Sequence, residues 1–382
     1  MTQTLGELTA STRRLALVGL AKNTGKTETL AVLLRELASS PQGEAEGRRV
    51  GVTSVGRDGE ERDVIDARIE KPRVRLAAGS LVATTDGLLR ASAIAHDLLE
   101  QTGVRTPLGQ VLVARLRDAG AIEVAGPSAA ADVRAVADAM LAHGARQVLI
   151  DGAVDRRAAS SPDVSDGLVL ATGAVLDGDV HEVVSQTRDA VELLRLPLVE
   201  DATQPGRRLR ALAAAADGSS LLVGVDGEPL PLPRHFILTA EPEQVAQLLD
   251  RSPDARWLLV AGALPEDFLI SLLHPLKQHR RELTLIVADP TRVFLWGRGP
   301  AWFARQGVHL MTLRGIELLA LTVNPVAPQS HRFDSVQLRR LLGEAIPGVP
   351  IFDVLHADYA GAHPRTGQPA GSDAAGASGP EY

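Results

Sequence analysis

The stretch LALVGLAKNTGKTETL, residues 15–30, limits what this chain can fold into more than any other. An apolar run from Leu15 to Val18 enters a glycine-bearing loop. The loop closes on Gly25-Lys26-Thr27, and Thr29 to Leu34 continues with helical character. Strand, loop and helix in that order make a cradle for phosphate, because loop amides and the positive end of the helix dipole face anionic oxygens. The spacing is Gly19-x5-Gly25-Lys26-Thr27, not the strict G-x4-G-K-[ST], because position 20 is Leu. In such a loop Lys26 reaches the β/γ-phosphates and the Thr27 hydroxyl ligates Mg²⁺. The expected ligand is Mg-ATP, with Gly19, Ala21, Lys22, Asn23, Thr24, Gly25, Lys26, Thr27 and Glu28 as its contacts.

The lysine count sharpens this. Of 40 basic residues only four are lysine (Lys22, Lys26, Lys71 and Lys277), and two of them lie in the loop. A compact ammonium on a thin stem fits a phosphate cage where a planar guanidinium does not. Lys71 is noted as a further candidate phosphate or substrate contact for the same reason.

Several function classes drop out on composition. The net charge is −7 with no basic run, which argues against a nucleic-acid groove and gives no support to membrane-surface binding. Cysteine is absent, so disulfides, thiolate metal sites and cysteine nucleophiles are excluded. The N-terminus MTQTLGELTASTRR carries no apolar signal-peptide segment, and no apolar run approaches a membrane span. The expectation is a soluble cytoplasmic protein. No G-x-S-x-G supports a serine hydrolase, and the ten histidines show no metal-ligand spacing.

Short β-branched or Leu-rich runs alternate with longer amphipathic stretches, the pattern of βα units and a mainly parallel sheet. The fold class expected is α/β: a phosphate-loop domain, then a second α/β domain. Strands are expected at Leu15–Leu20, Val50–Val55, Gln147–Asp151 and Gly167–Thr172, with one or two more in 74–85 and an ambiguous stretch at Val111–Glu123. Helices are expected at Lys26–Leu37, Ala91–Glu100, Ala131–His143 and His181–Arg195. The expected division is a nucleotide-binding domain over 1–200, a Gly/Pro-punctuated junction over 201–233, a second domain over 234–358 and a disordered tail over 359–382. Strands of the second domain are expected at His235–Thr239, Trp257–Ala261, Leu283–Ala288, Leu318–Val323 and Ile351–Val354. Any second site is expected in the turns beyond its strands, at Gly262–Pro265 and Ala288–Pro290.

Three further stretches carry candidate chemistry. Gln147 to Gly152 reads QVLIDG, a buried strand ending in an acid, and Asp151 is the candidate metal-side acid opposite Thr27. Asp155, Arg156 and Arg157 follow and are candidates to face the phosphates. The TSVGRDGE segment, Thr53 to Glu60, follows the second strand. Asp58 or Glu60 is the candidate group that orients water or binds Mg²⁺, and Arg57 a candidate to stabilise the charge on the group being transferred. Thr322 and Asn324, in TVNPVAP, are candidates for hydrogen bonds to a base or substrate.

The Gly19-x5-Gly25-Lys26-Thr27 spacing resembles the loop of the dethiobiotin synthetase and cobyric acid synthetase branch, within the signal-recognition/MinD/BioD-like class of phosphate-loop proteins. Those enzymes usually carry further acidic or Ser residues in the loop, where this chain has Ala21, Lys22 and Asn23. A broader resemblance is to an accessory family encoded beside lysine 5,6-aminomutase and described as a subunit of its reactivase. It is carried by LVGLAKNTGKTETL (17–30), GVTSVGRDGE (51–60), GALPEDFL (262–269), DPTRVFL (289–295) and LTVNPVAP (321–328). That resemblance implies a nucleotide-dependent helper that exchanges damaged cobalamin from an adenosylcobalamin-dependent aminomutase, working with a second reactivase subunit. The chain lacks the D-x-H-x-x-G pattern, so no motif of its own would bind B12. Alternatives are an ATP-dependent ligase of the dethiobiotin synthetase type and a non-hydrolysing nucleotide-binding scaffold.

Overall fold

The computed structural model describes residues 3–39, 49–56, 73–153, 157–233, 235–328 and 331–355. Its largest element is a nine-stranded sheet. Strand β1, Arg14–Gly19, is central and buried from Leu15 onward on both faces, which is why its sequence is continuously apolar instead of alternating. It pairs in parallel with β8, Gln147–Ala153, and with β9, Gly167–Gly173. Outward from β8 lie β2, Val50–Ser54, parallel to β8, and β4, Leu81–Thr85, parallel to β2. A hairpin of β5, His96–Thr106, and β6, Gly109–Leu116, closes that edge antiparallel. A small antiparallel pair, β3 (Val74–Leu76) and β7 (Gly120–Ile122), lies outside the sheet.

Helices cover both faces, so the sheet has two cores. Ala16, Val18, Val148 and Ile150 face Val133, Val136 and Met140 of the helix Ala130–Ala142 on one side. Leu15, Leu17 and Leu149 face Leu30, Leu33 and Leu37 of the helix Lys26–Ser39 on the other. Buried Gln147 fastens the N-terminal segment by donating from Nε2 to the carbonyls of Thr9, at 2.7 Å, and Thr12, at 2.9 Å.

A second sheet follows. Its strands are β10 (Leu221–Gly224), β11 (Pro229–Pro231), β12 (Ala255–Val260), β14 (Leu283–Val287) and β16 (Val308–Thr312), in the order β11-β10-β12-β14-β16. The last three run parallel. The short strands β13, Leu264–Pro265, and β15, Val293–Phe294, pair with each other beyond its carboxyl end. The chain then returns to the first sheet. Strand β17, Glu317–Asn324, pairs in parallel with β9, and β18, Ile351–Asp353, pairs with β17. The second sheet is therefore inserted between two parts of the first. The strands expected at Leu318–Val323 and Ile351–Val354 belong to the nine-stranded sheet, not to a second set.

Two other expectations are corrected. Ala91–Glu100 is not a helix: a helix covers Asp86–Ala91, and β5 starts at His96. The pairing of β5 with the β-branched strand VLVARL supplies non-local bonds that outweigh the helical propensity of Leu and Glu. His235–Thr239 is not a strand, because Phe236–Thr239 makes one helical turn. Its apolar run packs sideways, with Phe236 edge-on to Phe268 at 6.5 Å between centroids, instead of joining a ladder. Among the described residues no helix is long and apolar enough to cross a membrane.

Candidate functional site

The Gly19–Thr27 loop lies at the carboxyl end of β1, the usual place for ligands in an open α/β sheet. Its backbone is turned by two residues with positive φ, Asn23 at 65° and Gly25 at 89°. Asparagine tolerates that conformation better than most residues, and glycine adopts it without steric cost. The loop also folds back on Gly19. A Cβ there would lie 2.5 Å from Thr24 Oγ1 and 3.2 Å from the Ala21 carbonyl, so only glycine leaves room for the curl.

Inside the loop, Thr24 is buried and donates to the Ala21 carbonyl at 3.0 Å. Ala21, Lys22, Asn23, Thr27 and Glu28 are exposed. The helix that follows starts at Lys26, and Thr29 donates to the Gly25 carbonyl from both its amide, at 2.8 Å, and its hydroxyl, at 3.0 Å. The amides ahead of Thr29 belong to the first helical turn and have no intrahelical acceptor. They give the loop a partial positive charge.

Lys26 and Asp151 come together. Strands β1 and β8 are adjacent, with Leu17 opposite Asp151, and this brings the strand-ending acid beside the loop. Lys26 Nζ stands 2.7 Å from Asp151 Oδ1, each side chain about a quarter exposed at 24% and 30%. Asp151 Oδ1 is itself shielded from solvent and has no other donor among the described residues, so Lys26 is its charge partner. Thr27 lies on the first turn of the same helix with its side chain exposed. No group of three His, Cys, Asp or Glu that would form a cage for a metal occurs among the described residues. Mg²⁺ does not need one, because it commonly takes one or two protein oxygens and completes its shell with phosphate and water. Thr27 and Asp151 fit that limited donor set.

Thr322 and Asn324 of β17 do not stand free to read a base or substrate. Buried Thr322 shares a 2.8 Å hydrogen bond with Thr29. Asn324 Nδ2 donates to the Asn23 carbonyl at 2.9 Å, and its Oδ1 accepts from the Val326 amide at 3.0 Å. Asn324 Cβ lies where a Cβ on Gly25 would come within 3.0 Å. These two residues brace the loop from a strand about three hundred positions away in sequence, a separation that local pattern does not reveal.

Arg57, Asp58, Glu60, Lys71, Asp155 and Arg156 lie outside the described residues. The segment that leads into Arg57 is anchored at the same end of the sheet. The Val55 amide donates to the Asp151 carbonyl and the Gly56 amide to the Pro127 carbonyl, both at 2.8 Å. No protein-family model and no curated protein matches the chain.

Proposed function

We propose that the chain is a Mg²⁺-dependent ATP-binding and hydrolysing protein of the phosphate-loop class, related to the signal-recognition/MinD/BioD-like branch. The observation that carries this reading is the Lys26–Asp151 pair at 2.7 Å beneath a loop whose curl requires Gly19 and Gly25. An ammonium held by a neighbouring carboxylate in a loop of amides is positioned to exchange that partner for a phosphate oxygen. Loop amides and Lys26 would hold the β/γ-phosphates and take up charge as water attacks the γ-phosphate in line. Thr27 and Asp151 would hold Mg²⁺, which would neutralise phosphate charge there. Asp58 or Glu60 would orient the water.

The biological role proposed is that of an accessory protein that helps reactivate a cobalamin-dependent aminomutase together with a second reactivase subunit. That part rests on the resemblance of five segments spread over residues 17–328. Titration calorimetry with ATP, GTP and ADP in magnesium tests the first part. Wild type is expected to bind ATP, and Lys26→Ala is expected to lose binding while keeping its fold. Equal thermal stabilisation of the two proteins by Mg-ATP would overturn the reading. Hydrolysis that is slow alone and accelerates with the partner mutase supports the accessory role. Hydrolysis that requires a small carboxylate or amine substrate points to the ligase alternative.

A further inference from the structure

Ser54, the last residue of β2, stands beside the candidate acid. The β2–β8 ladder sets Ser54 opposite Asp151, and the β1–β8 ladder sets Asp151 opposite Leu17. Neighbouring strands lie about 4.8 Å apart, and alternate residues of a strand share a face. Val50 and Val52 of β2, Leu149 of β8, and Leu15 and Leu17 of β1 all belong to the core shared with Leu30 and Leu33 of the helix Lys26–Ser39. Alternation therefore carries Ser54 and Asp151 onto that same face, from which Lys26 reaches Asp151. The apolar rows beneath the helix turn polar at the carboxyl end of the strands, where the helix begins.

The backbone of Ser54 is fixed twice over. The pairing with β8 continues past it, because the Val55 amide donates to the Asp151 carbonyl at 2.8 Å. The segment ahead of the helix Ala130–Ala142 also comes down on the Ser54 carbonyl, so closely that a Cβ on Gly126 would lie 1.9 Å from its oxygen. The side chain is not held in this way. Ser54 is half-buried, and its hydroxyl has no hydrogen-bond partner among the described residues. A serine hydroxyl turns among three staggered positions. A rigid backbone thus presents an uncommitted hydroxyl one strand spacing from a carboxylate.

Lys26 is the charge partner of Asp151 Oδ1. Phosphate would draw that ammonium away, and a shielded carboxylate oxygen left without a donor costs free energy. We propose that Ser54 is a positioning residue for Asp151. Its hydroxyl donates to the Asp151 carboxylate when Lys26 turns to phosphate, and so keeps the carboxylate aligned for Mg²⁺. The inference rests on the phosphate-loop reading and adds to it a residue that touches neither phosphate nor metal.

Titration calorimetry of ATP into the full chain, with Mg²⁺ and with EDTA in its place, tests the role. Ser54→Ala is expected to bind Mg-ATP about tenfold more weakly, the low end for a hydrogen bond to a charged group. Its affinity for metal-free ATP and its midpoint of urea unfolding should match wild type. Ser54→Thr keeps the hydroxyl and is expected to bind Mg-ATP as wild type does. Added to Asp151→Asn, Ser54→Ala should cost little more, because the hydroxyl acts through that carboxylate. Unchanged Mg-ATP affinity in Ser54→Ala, equal weakening with and without metal, a threonine variant as weak as the alanine one, or full additivity with Asp151→Asn would each overturn the role of Ser54. A wild-type chain that binds no ATP would overturn the phosphate-loop reading itself. Wild type and Ser54→Ala binding Mg-ATP equally well would leave that reading standing and remove Ser54 alone.

Discussion

Both sheets carry acidic residues at or just past the carboxyl ends of their parallel strands, and use them in opposite ways. In the nine-stranded sheet, Asp151 is part-exposed, pairs with the part-exposed Lys26, and keeps an oxygen without a hydrogen-bond donor. In the inserted sheet, Glu266 and Asp289 are 2% and 1% exposed. Glu266 accepts from the Trp296 amide and, at 2.9 Å, from Arg298, which closes the turn after β15 onto the helix Glu266–Gln278. Asp289 accepts from the amide and hydroxyl of Thr291 and lies 3.7 Å from Arg314, which also pairs with Asp163 of the first sheet's loops. The difference teaches that position at a strand's carboxyl end is not enough to make a ligand site. An unused hydrogen-bond acceptor does not separate them either, since Asp289 Oδ2 also lacks a donor among the described residues; what distinguishes the first sheet is that its charged pair remains accessible.

That contrast predicts a clean separation of effects. Lys26→Ala is expected to weaken Mg-ATP binding by at least about a hundredfold, roughly 2.8 kcal/mol, with a midpoint of urea unfolding close to wild type. Calorimetry and urea titration on the same samples check it. A large loss of stability would mean the Lys26–Asp151 pair is as structural as the Glu266 pair.

The converse variant, Glu266→Ala, is expected to cost about 2 kcal/mol of stability, because the Trp296 amide loses its acceptor and Arg298 its carboxylate. Nucleotide affinity should not change. A Glu266 variant that folds normally and binds ATP poorly would reverse the comparison, placing a functional acid in the inserted sheet.

Much of the first sheet was legible before the structure. Short continuous apolar runs at Leu15–Leu20, Gln147–Asp151 and Gly167–Thr172 fit strands buried on both faces, and each lies in one. The strand–loop–helix order was legible too, because Gly19 and Gly25 mark a tight loop between an apolar run and a helical one. Two things were not legible. The return of β17 and β18 to the first sheet depends on strand pairing across the insertion, and nothing local to LLALTVN says which sheet it joins. For the same reason Asn324 read as a possible base contact, although it holds the loop that binds the phosphates in the proposed function.

The bracing itself sets the next prediction. Asn324→Ala removes the bond to the Asn23 carbonyl at the loop's strained, positive-φ turn. It is expected to weaken ATP binding about fivefold to tenfold, near 1 kcal/mol for one hydrogen bond. The effect should be smaller than that of Lys26→Ala because the phosphate contacts themselves stay. An Asn324→Ala protein that keeps full affinity for ATP but also accepts GTP would return Asn324 to base recognition and sharpen the functional side of the comparison.

The smallest effect is expected where neither sheet has an end at stake, on the exposed edge hairpin. The hydrogen bond from Arg117 holds the Asp97 carboxyl below its ordinary value of 3.8, against a smaller opposing effect of burial. A depressed carboxylate contributes stability above the ordinary value, and that contribution disappears as pH falls through the lowered one. Arg117→Gln should therefore reduce stability slightly at pH 7, and the difference from wild type should shrink as pH falls below 3.8 and through the lowered value. Salt should shrink it at pH 7, because both groups face solvent. Urea midpoints at pH 7 with and without about 0.5 M salt, and again at low pH, separate charge from packing. A difference that persists at low pH would assign it to the Arg117 stem lying on the hairpin. The edge strands would then be held by the same kind of buried contact as the inserted sheet.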